Sequence, residues 1–123
     1  MKDDRIETNL GEIEERFANL IWDNEPIPSG KLVKLAEAEL SWKKSTTYTV
    51  LRILCTKNIF QNVNCVVTSK ISREDFNGLR SKRFVEETFD GSLPQFLTAF
   101  SKQKKLTEEE IAALERFIDE NRG

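Results

Sequence analysis

The pattern of apolar residues changes period at Asn58, and that change constrains the fold more than any other feature of the chain. Before it, apolar residues recur at helical spacing. Leu10, Ile13, Phe17, Leu20 and Ile21 make one stripe, with Glu12, Glu14, Glu15 and Arg16 on the other side. "DNEPIPSGK" breaks this helix with two prolines and a glycine. Ser29 is placed to cap a second helix, whose apolar side is Leu32, Leu35, Ala36 and Leu40. After Ser41-Trp42 a third helix carries Thr47, Val50, Leu51 and Leu54 at i, i+3, i+4 and i+7. It ends near Lys57-Asn58, where Asn tolerates the left-handed conformation of a helix stop. Beyond that point Ile59-Phe60 and Val63 to Thr68 read as two short strands around a Gln61-Asn62 turn. Three helices followed by a hairpin predict a mostly α chain that opens with a winged helix-turn-helix domain.

The third helix shows Lys43, Lys44, Ser45, Thr46, Tyr48, Thr49 and Arg52 on its outer side. A face that met only water would more usually mix Glu with Lys, both good helix formers. In the winged arrangement this helix holds the recognition position, so its face is expected to enter a groove of double-stranded DNA. The formal net charge of −2 hides the matching asymmetry. Glu39 is the last acid before Glu74, and Lys43, Lys44, Arg52, Lys57, Lys70 and Arg73 lie between them. That stretch carries +6, leaving −8 for the remainder. Such a local excess suits a phosphate-facing patch, with chance clustering of six charges as the alternative.

The second half is helical with a different purpose. Ser72 and Asp75 have capping-box spacing for a helix that runs to about Thr88, and Asp90-Gly91 ends it. Ser92 caps a short helix with Pro94 in its first turn, where a missing N–H costs nothing. Thr107 opens a last helix with Ile111, Leu114, Phe117 and Ile118 on one side. Six of the eight phenylalanines fall here: Phe76, Phe84, Phe89, Phe96, Phe100 and Phe117. Three short helices cannot bury so many rings against one another, so a second copy of the chain is the expected cover. Phe84, Phe89, Phe96, Phe100, Ile111, Leu114 and Phe117 are the expected dimerisation residues. The alternative is that the rings close over the first half as one monomeric core. The expected division is thus a winged-helix DNA-binding domain over 1–71 and a helical dimerisation domain over 72–123.

Other classes fit poorly. At 123 residues the chain has no apolar run near the roughly 20 residues that span a bilayer. Its charged start lacks the apolar core of a signal peptide, so no membrane insertion and a cytoplasmic location are expected. Cys55 and Cys65 read as thiols of a reducing compartment. There is no histidine, which removes the commonest general base and metal ligand. The five glycines are scattered singly, and Glu108, Glu109 and Glu110 diverge by about 100° around a helix rather than pairing. The chain is not expected to be an enzyme or to hold a metal or cofactor.

With these segments in place, the chain resembles the penicillinase and methicillin-resistance repressor family, which includes copper-responsive repressors. The residues that carry the resemblance are Leu20-Ile21-Trp22 with Pro26, and Trp42, Thr46, Thr49, Val50 and Leu51 in the third helix. "GSLPQFLTAF" and "LTEEEIAALERFIDE" extend it through the second half. The resemblance implies a homodimeric repressor of antibiotic resistance whose winged domains bind a palindromic operator. It implies relief when a membrane sensor-protease system leads to cleavage in the second half, or, in the copper branch, when metal binds. The copper branch's C-terminal cysteine cluster is absent.

On this resemblance Thr46 and Thr49 face the groove. Lys43, Lys44 and Ser45 start the helix, where N–H groups and cations favour phosphate. Tyr48 and Arg52 reach base edges or phosphate. The family's scissile bond precedes a Phe that matches Phe100, so Ala99-Phe100 is the candidate cleavage site; the plainer reading of Phe100 is a dimer-core ring. Four departures stand out. Ile53 replaces a usual Arg, Asn58 a usual Gly, and Ala99 a usual Asn. The wing is also shorter, and "QNVN" lacks cations. These departures leave open a second reading, a protein-interaction dimer that has weakened or lost its hold on DNA.

Overall fold

The computed structural model describes residues 5–123; the first four, part of the charged start read above, lie outside the described residues. Helix α1 (Glu12–Asn24) opens as Glu14 folds back to accept from the Gly11 N–H at 3.0 Å. It buries Phe17, Ala18 and Ile21, as the stripe requires. Ile13 departs from the expectation: it is 52% exposed, and Glu14 instead turns inward towards Lys57. Helix α2 (Ser29–Leu40) buries Leu32 and Ala36 and ends on Ser41 in the left-handed conformation. Helix α3 (Lys44–Thr56) buries Thr47, Leu51 and Leu54 and stops where Asn58 turns left-handed, φ 65°.

The wing differs from its expected form. Strands β2 (Phe60–Val63) and β3 (Val66–Ser69) pair antiparallel with Val63 opposite Val66, so Gln61 and Asn62 lie within a strand. The turn is Asn64-Cys65, both left-handed at φ 53° and 63°, the conformation that joins two twisted strands most directly. A third strand, β1 (Ile27–Pro28), comes from the segment expected only to break a helix and pairs with β3 to give the order β1-β3-β2. As an edge strand, β1 tolerates a proline. This pairing also corrects Ser29. The residue is buried inside the first turn of α2 rather than capping it, with its N–H donated to the Cys65 carbonyl at 2.8 Å.

One apolar core unites these elements, with Phe17, Ile21, Leu32, Leu54, Ile59, Phe60 and Val67 almost closed to water. Phe76 belongs to it as well. It comes from α4 (Arg73–Phe89), is 1% exposed, and packs with Trp22, whose ring also meets Phe60. Phe76 is therefore not one of the second half's unpartnered rings. Burying a Phe of this kind stabilises a domain by roughly 2–3 kcal/mol. The compact N-terminal unit accordingly reaches Ser81, and Lys82–Gly123 form a second unit. Packing thus cuts the chain within α4, whereas the expected division at 71/72 falls before that helix.

In the second unit Gly91, at φ 81°, closes α4 by donating its N–H to the Val85 carbonyl. Helix α5 (Leu93–Gln103) is capped by Ser92, whose hydroxyl accepts from the Gln95 N–H. Helix α6 (Glu108–Glu120) opens with a full capping box between Thr107 and Glu110. Phe84, Phe89 and Phe96 meet edge to face, and Phe96 continues to Phe100. No residue of α5 or α6 is fully buried within the single chain.

Candidate nucleic-acid interface

Helix α3 presents the face that its sequence foretold. Lys43, Lys44, Ser45, Thr46, Thr49 and Arg52 are exposed, and the buried stripe Thr47-Leu51-Leu54 holds the opposite side. Lys43 occupies the N-cap position without a side-chain cap, so the first-turn N–H groups are uncapped at the end of the helix where Lys43 and Lys44 are exposed. Thr49 donates its hydroxyl proton to the Ser45 carbonyl at 2.9 Å. Tyr48 is set deeper. It is half-buried, and its hydroxyl donates to Ser29 Oγ at 3.3 Å, which places its ring beside the outer face rather than on its crest.

The positive stretch is smaller than its sequence count. Lys57 donates to the Asn9 carbonyl at 2.7 Å and to Glu14 at 2.9 Å, holding the segment before α1 against the end of α3. Its ammonium keeps the Glu14 carboxyl below the usual value, helped by the Gly11 N–H. Arg73 pairs with Asp23 at 2.6 Å, donates to the Asn19 carbonyl and lies over Trp22. Both serve packing. Among the described residues Lys43, Lys44, Arg52 and Lys70 make no ion pair.

Lys70 counts towards the positive stretch but is not one of the expected groove-facing residues. It joins Tyr48, Arg52, Gln61 and Asn62 around an open cleft of about 460 Å³ between α3 and β2, with Leu51, Cys55 and Phe60 as its apolar lining. No carboxylate lines it. Burial pushes the Cys55 thiol up, against the opposing pull of Lys70, so Cys55 is a protonated, half-buried thiol at neutral pH. The wing tip beyond the cleft holds Val63, Asn64, Cys65 and Val66, all exposed and none charged.

The expected dimer residues lie together in the second unit. Phe84, Phe100, Ile111 and Phe117 are largely exposed, while Phe89, Phe96 and Leu114 are half-buried. Phe96, Leu97, Phe100, Leu106, Ala113 and Leu114 line an apolar groove of about 320 Å³, with Glu110 at its edge. Ala99-Phe100 is inside α5, with Ala99 half-buried. Among the described residues no three His, Cys, Asp or Glu side chains are grouped to hold a metal ion, and no helix is long and apolar enough to cross a membrane.

Three helices, a three-stranded wing and an exposed, acid-free third helix define a winged-helix protein with a helical C-terminal extension. The model of the penicillinase repressor family matches residues 10–120. The chain is also 22% identical to the penicillinase repressor of Bacillus licheniformis over 118 residues, which span 93% of this chain and 92% of that protein. The chain belongs to the penicillinase repressor family, a family of transcriptional repressors.

Proposed function

We propose that the protein is a homodimeric, DNA-binding repressor that recognises a palindromic operator through two copies of α3. The observation that carries this reading is the outer face of α3: exposed cations and hydroxyls, no carboxylate, and Lys70 facing it across the cleft. Lys43 and Lys44 take phosphates at the helix start, and Arg52 and Lys70 take them, or base edges, beside the wing. Ser45, Thr46, Tyr48 and Thr49 supply hydroxyl and methyl contacts within the groove. Two recognition helices must reach successive major grooves about 34 Å apart, which requires a dimer. The exposed rings of the second unit suit that dimer, because they leave water when a second copy covers them.

Relief by proteolysis, through a membrane sensor-protease system, fits the same arrangement. A cut at Ala99-Phe100 would unwind the end of α5 and dismantle the groove formed by Phe96, Phe100, Leu106 and Leu114. The halves of the dimer would separate, and each winged unit would bind alone and weakly.

The uncharged wing tip favours a second reading, in which the family's dimer holds another protein through its winged unit. Duplex carrying the gene's own upstream region separates the two. Saturable binding at low salt is the result expected of the repressor, and its absence would leave the protein-interaction reading in its place.

A further inference from the structure

The outer surface of α3 has two edges of different chemistry. Tyr48 and Arg52 lie on the edge beside the cleft, facing Lys70. On the other edge stand Thr46, Thr49 and Ile53, which at 100° per residue fall within about 60° of one another around the helix axis. All three are exposed. Thr49 has engaged its hydroxyl proton with the Ser45 carbonyl, so its methyl group and lone pairs are what remain to offer. Ile53 offers only hydrocarbon, and it is 37% open to solvent. A β-branched residue at a helix position that stays more than a third open loses side-chain freedom for only part of the return of burial.

We infer that this edge reads thymine, and that Ile53 is a specificity-determining residue through apolar contact with a thymine C5-methyl group in the major groove. The inference rests on the DNA binding proposed above. Among the groups that base pairs present in the major groove, that methyl is the apolar one, and it distinguishes T·A from every other pair. Helix α3 itself carries no carboxylate, so a polyanion can come close enough for the contact, while Lys43, Lys44 and Arg52 on the same helix supply the attraction to phosphate. Ile53 therefore governs which base is chosen and contributes little to the salt-dependent part of the affinity.

The test uses the full-length protein. A duplex library of random sequence is selected on it, and the enriched site is resynthesised with each thymine in turn replaced by deoxyuridine, which removes only the methyl group. Binding is then compared between wild type and Ile53→Ala, whose fold is checked by circular dichroism. At one thymine or more, deoxyuridine should weaken wild type by about fourfold and leave Ile53→Ala unaffected, with equal salt slopes for the two proteins. The inference is overturned if wild type accepts deoxyuridine everywhere without loss. It is equally overturned if the loss persists in Ile53→Ala, since another side chain then meets the methyl. Failure of any duplex to be enriched would remove DNA binding itself, and this inference with it.

Discussion

Lys57 and Lys70 carry the same charge in the same acid-free stretch and do different things. Lys57 is tied to Asn9 and Glu14 and fastens the first described residues to the end of α3, while Lys70 stands exposed at the cleft. The partner of Lys57 is 43 residues away in the chain, so a linear count of charges assigns it to the wrong surface. A similar local choice governs Glu110. Its hydrogen bond from Lys104, and then that from the Thr107 N–H, lower its carboxyl from 4.5 to about 2. A carboxyl depressed by folding contributes stability that is complete above its unfolded value and is lost as pH falls through the folded one. Wild type should therefore melt above Glu110→Gln at neutral pH, and the gap should close as the pH falls from about 4.5 towards about 2. Thermal melts across that window check this; a gap independent of pH would count against it.

Among the elements, the wing turn sets two successive non-glycine residues in left-handed backbone. Asn64 tolerates a left-handed conformation, but Cys65 at φ 63° carries a Cβ that opposes it. Cys65→Gly should relieve that strain and stabilise the chain by about 1 kcal/mol, read as a higher urea midpoint at unchanged slope. The same turn marks where sequence reading stopped. Gln61-Asn62 and Asn64-Cys65 are both polar pairs, and the choice between them is made by pairing with β1, two residues that include a proline. The role of Ser29 is hidden for the same reason, since its N–H is claimed by the Cys65 carbonyl in the turn before β3, the strand that β1 pairs with. The helices were legible because their signals are local. Ser92 and Thr107 cap where their sequences place them, and the stripe of α3 faces inward as its spacing requires. The outer face of α3 followed from that stripe, but Lys70 and the cleft did not, because only tertiary folding brings β2 beside α3.

For the whole molecule, the winged unit owns a closed core and the second unit does not. Phe117 is 55% exposed and Phe84 50% exposed in the single chain, so substitution of either should leave the winged unit folded. Phe117→Glu should yield monomers by sedimentation and weaken operator binding by about a hundredfold or more, because the second winged unit is no longer held near its half-site. A dimer that survived this change at full affinity would place the interface elsewhere. The central claim is that exposed cations at the start of α3 meet DNA phosphates, and its most direct measurement is the salt dependence of binding to the upstream duplex. Each phosphate contact adds about 0.9 to the slope of log affinity against log salt. Lys43→Ala/Lys44→Ala should therefore shallow the slope by about 1.8 for each winged unit bound, about 3.6 for the dimer. A wild-type slope near zero, or one that the double substitution leaves unchanged, would contradict the account.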